Sequence, residues 1–289
     1  MHDHYQIFDW PMQADAGMAY LQQRYETSLF LLGNLEAYGA SSGESPNSGN
    51  FKAVTKDGIT VGAYCLTKRG NLLVQGEDDA NLVALIGADV DDEARQRQVV
   101  IAGVLGPWSI AAAIWDHFSS KGIIHSTSFR SKEILYRLSD LSVEVSAAHQ
   151  VRLLTPDDHD QWRPLRLAYL EEEGLRQDMS EEDFRKGFLS LTQRRVIWGA
   201  FSEDQKLISM AGLNTKTREI GQIGGVYTFP THRGQGIART VMQHLIRDVQ
   251  VIHKINKLIL FTGEKNLPAQ RLYEKLTFAK CGHFGLIFS

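Results

Sequence analysis

Residues 224–239 read Gly224-Gly-Val-Tyr-Thr-Phe-Pro-Thr-His-Arg-Gly-Gln-Gly-Ile-Ala-Arg239. The residues up to Thr228 suit a strand that ends at Pro230, and the glycines beyond it open a helix. Ile237, Val241, Leu245 and Val249 recur every fourth residue on one helix face, while Arg239, Arg247 and Asp248 fall elsewhere. Gly234 and Gly236 thus stand at a helix N-terminus, where first-turn N–H groups lack intrahelical partners and the dipole favours negative charge. Main chain alone can bind a pyrophosphate there. Arg233, Gly234, Gln235, Gly236, Ile237 and Ala238, with Arg239 next in the chain, form the candidate cradle. Arg233 adds charge, the glycines remove side chains that would block approach, and Ala238 keeps the helix close to its neighbours. A tight strand-to-helix turn explains the same glycines about as well. The spacing is neither Gly-x-Gly-x-x-Gly nor Gly-x-x-x-x-Gly-Lys-Ser/Thr, which argues against the common nucleotide loops.

Outward from this stretch, strands are expected at 150–154, 196–202, 206–214, 219–229 and 257–261, followed by a last helix and a terminal hairpin. Thr155-Pro156-Asp157-Asp158 is a helix start with Thr155 as N-cap, and Ser180-Glu-Glu-Asp183 is another. Upstream, a helical stretch at 15–38 is separated by the loop 41–50 from strands at 51–55, 60–67 and 71–76. A buried strand at 99–104 and an apolar helix at 108–118 follow. Phe51–Ala63 and Trp198–Ala211 are faintly alike, each a strand, a charged turn and a second strand; chance and duplication both account for this.

With 289 residues, 43% of them hydrophobic and 22% charged, the composition is globular and two domains are expected, 1–147 and 148–289. A net charge of −3 gives no general positive field, so neither nucleic acid nor an anionic membrane is an expected partner. Cys65 and Cys281 are far apart and show no metal spacing, so no metal is expected and both read as small buried hydrophobes. The first residues lack the pattern of a secretory signal and no stretch has membrane-spanning length, so a soluble cytoplasmic protein is the expectation.

Arg233-x-x-Gly236-x-Ala238, following Val226-x-Thr228-x-Pro230, resembles the acyl-CoA motif of the GNAT superfamily of N-acyltransferases. Asn266-Leu-Pro-Ala269-Gln-Arg-Leu272-Tyr273-Glu-Lys-Leu-Thr-Phe278 resembles a second motif of that family, at the expected distance. The resemblance covers 148–289, and the whole chain is similar to two-part members whose first half carries a stretch like Phe30-Leu-Leu-Gly-Asn-Leu35. It implies an α/β (α+β) GNAT fold, a mixed and mostly antiparallel sheet flanked by helices, with a degenerate GNAT-like domain in front. That first domain has no Arg-x-x-Gly-x-Ala. Gly103-Val-Leu-Gly-Pro107 is its nearest glycine turn and lacks both the basic residue and the spacing. One departure is Thr277, where the family prefers glycine; the last helix is therefore expected to end without the usual left-handed cap.

By resemblance, an amine attacks the thioester of acetyl-CoA directly, the acceptor being a small molecule, amino acid or peptide. A noncatalytic acyl-CoA-binding regulatory protein is the alternative, and homodimer formation stays open. Val226, Tyr227 and Thr228 match the family's splayed strand, which holds the pantetheine arm and the thioester oxygen; composition alone equally suits an ordinary central strand. Asn266 suits a helix cap and, by motif, a pantetheine contact. Tyr273 reads as a buried aromatic by spacing and, by resemblance, as the acid that protonates the departing thiolate. Glu219 is a positional candidate for general base and otherwise a solvated strand-end charge, and His232 and His244 suit charge recognition better. Trp162, Leu165 and Tyr169 share a helix face. Glu171–Glu173 read as a solvated run, and Arg163, Arg166 and Arg176 as exposed charges that matter if the acceptor is acidic.

Overall fold

The computed structural model describes residues 4–174 and 180–289; of the residues named above, Arg176 lies outside them. In chain order the elements of the first half are β1 (Tyr5–Asp9), α1 (Ala14–Gln22), α2 (Tyr25–Tyr38), β2 (Gly49–Lys56), β3 (Ile59–Thr67), β4 (Asn71–Gly76), α3 (Ala80–Arg97), β5 (Gly103–Pro107), α4 (Trp108–Ser120) and β6 (Phe129–Leu138). The second half continues with β7 (Gln150–Leu153), α5 (His159–Glu172), α6 (Glu181–Gln193), β8 (Ile197–Phe201), β9 (Leu207–Lys216), β10 (Ile220–Thr228), α7 (Ile237–His253), β11 (Lys257–Gly263), α8 (Leu267–Lys275) and β12 (Ala279–Phe288). Both halves thus run strand, two helices, three strands, helix, strand, helix, strand. The alike stretches Phe51–Ala63 and Trp198–Ala211 fall on corresponding hairpins.

The chain forms two compact units, one of 1–135, 261–266 and 280–289, the other of 136–260 and 267–279. In the first, strands lie in the order β1-β2-β3-β4-β5-β12; β4 and β5 are parallel and the other described pairs antiparallel. In the second, the order is β7-β8-β9-β10-β11, again antiparallel except for the last pair. The mixed, mostly antiparallel sheet flanked by helices is that of the GNAT fold. Among the described residues no helix is long and apolar enough to cross a membrane.

Each unit closes on its own core. In the first, Trp115, Phe118 and Ile114 of α4 and Ile86 and Val90 of α3 pack against Tyr64, Leu66, Leu72 and Val104. On the opposite sheet face, Trp10, Leu21, Leu31 and Phe51 form a second cluster. In the second unit, Trp162 and Leu165 of α5 and Phe184 and Phe188 of α6 cover Ile197, Phe201, Met210 and Tyr227. The start of α5 is as expected. Thr155 and Asp158 form a capping box, Thr155 N–H donating to Asp158 Oδ2 at 2.7 Å, and Arg152 adds a two-armed pair with the same carboxylate.

Several expectations are corrected. The helical stretch at 15–38 breaks at Gln23–Arg24, where Arg24 stacks over the Tyr20 ring at 4.2 Å. The strand expected at 99–104 is shifted to Gly103–Pro107, and Val100 is 80% exposed. An apolar run does not identify which of its residues meet the core. The terminal hairpin is instead the single strand β12, which pairs with β5 over Phe284–Phe288. Cys65 is buried, and burial pushes its thiol up to about 12, whereas Cys281 is only half-buried, its thiol directed at Leu135 O at 3.6 Å. Thr277 does adopt the left-handed conformation, φ 63°, despite its branched side chain. Phe278 N–H donates to Tyr273 O at 3.0 Å, closing the helix end, and Phe278 is buried behind it. Burial of Phe278 outweighs the local strain.

The decisive difference between the halves lies at corresponding strand-to-helix turns. Between β4 and α3 the chain reads Glu77-Asp78-Asp79, and Asp79 Oδ1 accepts from Asn81 and Leu82 N–H at 3.0 Å each. A carboxylate of the chain itself occupies this helix N-terminus, and two more acidic residues precede it. The Gly103–Pro107 segment is not its counterpart, because it forms β5 and leads into α4.

Two stability outcomes follow. The bonds from Leu82 and Asn81, the former the larger influence, hold the Asp79 pKa below its usual value, so its cap contribution is present above the unfolded carboxylate pKa of ~3.9 and is lost as pH falls through the depressed folded value. Asp79→Ala should cost about 1 kcal/mol at pH 7, and the difference from wild type in denaturant unfolding should shrink below about pH 3.5. Thr277→Gly should gain about 0.5–1 kcal/mol, the left-handed cost relieved less the extra chain entropy of glycine; an unchanged denaturation midpoint would refute strain at 277.

Candidate active site

The site is built on an interrupted strand. Along β10, Gly224 faces Gly212 of β9, but the next pair is Tyr227 with Met210, so β10 carries one extra residue. Gly225 takes up this bulge at φ +61°, a conformation open to glycine and strained for side chains with a Cβ. A Cβ on Gly224 would stand 2.0 Å from the Asn214 amide, so the Asn214 side chain would have to swing aside. Ser209 anchors the end of the strand, its hydroxyl donating to Tyr227 O at 2.9 Å and lying 2.7 Å from Thr228 Oγ1. On its other edge β10 is paired with β11 over Ile220–Gln222. Val226, Tyr227 and Thr228 lie beyond that ladder.

Past Thr228, Phe229 N–H bonds Ile208 O at 3.1 Å and Pro230–His232 make a single 3-10 turn. Gly234 and Gly236 then adopt φ +77° and +79°, with nothing within 4 Å of where either Cβ would stand. Backbone conformation demands these glycines, and the space in front of them is open. Gly236 is the N-cap of α7 and supplies no side-chain cap. Among the described residues, the N–H groups of Gly234, Gln235 and Gly236 donate to no protein acceptor. Ile237 begins the buried face of α7, Ala238 is half-buried and Arg239 exposed. Asp248, expected off that face, accepts from Trp198 Nε1 at 2.8 Å and locks α7 onto β8.

A cavity of about 520 Å³ opens at this turn, lined by Gln235, Gly236, Arg239, Thr240, Lys275 and Thr277, with the segment Ser142–Ser146 along another wall. Two cations, Arg239 and Lys275, therefore face it beside the orphan N–H groups. Lys275 is absent from the sequence-based candidates; at the last turn of a helix a lysine is ordinary, and only folding brings α8 beside the start of α7. The cradle fits a pyrophosphate by these free donors and the open space over its glycines.

Arg233 points elsewhere. Its Nε donates to Thr228 O at 3.0 Å, its Nη2 to Glu172 Oε2 at 2.7 Å, and the guanidinium lies 5.2 Å from the Tyr227 ring centroid. The Glu172 bond leads the influences that raise its pKa. Arg233 ties the end of β10 to α5, so Glu172, half-exposed, is also an ion-pair partner.

Tyr273 is buried on α8, edge-on to Tyr136 at 5.8 Å and 6.1 Å from Phe278. Asn266 directly precedes α8, its N–H bonded to Gly263 O at 3.0 Å. Glu219 is exposed just before β10. Six residues lie between it and Val226, at most about 23 Å at ~3.3 Å per step, so the strand holds it away from the bulge. His232 Nδ1 lies 2.9 Å from Thr231 Oγ1, and burial, with Arg247 nearby, pulls the His244 pKa down. Trp162 and Leu165 are core residues, whereas Tyr169 turns to Tyr227, edge-on at 6.2 Å. Arg163 pairs with Glu181 at 2.7 Å. Arg166 is half-buried, contrary to its expected exposure.

A bulged strand, a glycine cradle and an uncapped helix follow one another here. Residues 158–278 match the Acetyltransferase (GNAT) family model, so the chain carries a GNAT acetyltransferase-family domain there, of a family that transfers acyl groups from acyl-CoA. Similar solved structures span the whole chain. A Drosophila protein aligns at 12% identity over 99% of each chain with a TM-score of 0.66. A GCN5-related N-acetyltransferase from Sphaerobacter thermophilus aligns at 14% over 99% of this chain and 95% of that one, TM-score 0.58. A tandem GNAT protein from the clavulanic acid biosynthesis pathway aligns at 12%, over 99% and 98%, TM-score 0.57. At these identities the likeness concerns fold, and the two-part architecture fits it. No curated protein matches the sequence.

Gly236→Ala should weaken CoA binding about tenfold in calorimetry, since a Cβ in left-handed conformation costs roughly 1–2 kcal/mol and the turn would shift to relieve it. Unaltered affinity would count against the cradle.

Proposed function

We propose that the protein is an N-acyltransferase that moves an acetyl group from acetyl-CoA to the primary amine of a small molecule, amino acid or peptide by direct attack. In this reading 148–289 is the catalytic GNAT domain and 1–147 a degenerate partner whose corresponding helix N-terminus is filled by Asp79. The observation that carries the proposal is the set of unpartnered N–H groups at Gly234–Gly236, in front of an uncapped helix and immediately after a bulged strand.

Bound acyl-CoA supplies an activated acyl thioester. The main chain of Gly234, Gln235 and Gly236 and the first turn of α7, Ile237 and Ala238 included, hold the pyrophosphate, with Arg239 and Lys275 adding positive charge. Arg233 serves by fixing the end of β10. The main chain of Val226, Tyr227 and Thr228 orients the pantetheine arm and donates to the oxygen on which charge develops, with Asn266 as a further polar contact to the arm. Tyr273 holds the proton for the departing sulfur: a phenol of reference pKa ~10 stays protonated at neutral pH and can give its proton to a thiolate. Glu219 lies too far along β10 to act directly, so the proton lost by the attacking amine passes to solvent water, from which Tyr273 is reprotonated.

Acetyl transfer to a panel of primary amines, followed by thiol release, tests the proposal. Tyr273→Phe should lower turnover by a factor on the order of 10²–10⁴, as for loss of a general acid, with CoA affinity little changed. Wild-type turnover in the Phe variant would remove Tyr273 from the mechanism, and CoA binding without transfer to any amine would leave only a binding protein.

A further inference from the structure

Charge compensation around the bulge is uneven. Arg152 holds Asp158, Arg163 holds Glu181, and Arg233 holds Glu172. Arg166, one helical turn from Arg163 on α5, holds no carboxylate among the described residues, and its guanidinium rests 5.0 Å from the Tyr169 ring centroid. It is also the group nearest the bulge. A Cβ on Gly225 would stand 3.3 Å from Arg166 Nη1, and nothing else comes within 4 Å of that position. Burial draws the Arg166 pKa below the usual guanidinium value, as expected of a cation removed from water without a counter-charge.

A desolvated, unpaired guanidinium is costly, and the fork of an arginine matches a carboxylate through two parallel bonds. Among the described residues, the unpaired charge beside Gly225 is therefore positive. Glu172, on the same helix, is already paired with Arg233, which weakens its attraction for a second cation on the acceptor.

Resting on the acyltransferase reading above, we propose that Arg166 is the anchor for a carboxylate of the acceptor, and that the acceptor is an α-amino acid. In such a molecule a single carbon separates carboxylate from amine. A carboxylate gripped by Arg166 therefore brings its amine to Gly225–Tyr227, where the thioester carbonyl is expected. Tyr169 and Tyr227, edge-on to each other, form the wall beside the anchor.

The test compares the proteinogenic α-amino acids with their α-carboxamides as acceptors, in wild type, Arg166→Gln and Arg166→Lys. Wild type should favour carboxylate over carboxamide in kcat/KM by about 10- to 100-fold, the scale of a hydrogen-bonded charge. Arg166→Gln should bring that ratio close to one, and Arg166→Lys should leave an intermediate value; a merely structural role would lower both series together and leave the ratio unchanged. CoA affinity should be the same in all three proteins, and its loss in Arg166→Gln with the ratio preserved would reassign Arg166 to the cofactor's phosphates and overturn the proposal. Equal use of both series by wild type, a readout that needs no variant to fold, overturns the anchor and leaves the acyltransferase standing. Transfer to neither series overturns the anchor too; transfer to other primary amines in that case preserves the broader function, and transfer to none removes both.

Discussion

The second unit is organised around donors that the protein itself does not use. Among the described residues, the N–H groups of Gly234, Gln235 and Gly236 have no acceptor, and α7 begins without a side-chain cap. These residues are exposed, so the groups stay available to an incoming anion, and everything behind them is firmly held. Eight residues of α7 are buried, Trp198 bonds Asp248, and Ser209 secures the last residues of β10. The glycines keep the turn left-handed and bare, and the bulge at Gly225 opens the preceding strand at the place where a thioester would lie. Rigidity in the helix and strand thus keeps these open donors aimed at one point.

The first unit shows the same order of elements with the opposite electrostatic solution. Where the second has glycines and free donors, the first has Glu77, Asp78 and Asp79, with Asp79 bonded to the first turn of α3. The cap satisfies the helix locally and removes the anion site at once. Its core is no poorer for this: Trp115, Tyr64 and Phe118 are completely enclosed. One architecture therefore supports both a binding turn and a closed one, and a few side chains at the strand-to-helix junction decide between them.

Arginine placement follows the same logic of compensation. Arg152 and Arg233 are braces: the first joins β7 to the start of α5, and the second joins the end of β10 to the end of α5. Position in the motif placed Arg233 beside the phosphates, but its geometry makes it a strut, and Arg239 and Lys275 stand at the cavity instead.

What could be read from the chain was whatever depends on near neighbours. The face Ile237-Val241-Leu245-Val249, the Thr155 and Ser180 helix starts, the glycines of the cradle and the order of elements from 150 to the last helix are local patterns of periodicity, capping and backbone conformation, and the fold preserves them. What could not be read depends on residues distant in sequence. The pairing of Arg233 with Glu172, the arrival of Lys275 beside Gly236 and the pairing of β12 with β5 each join segments by packing. The left-handed Thr277 belongs with them, because propensity argues against it and only the burial of Phe278 holds it there. Arg166 is the clearest case: on the page it is one of several arginines, and it differs from Arg163 only because the tertiary structure gave one of them a carboxylate and the other the side of Gly225.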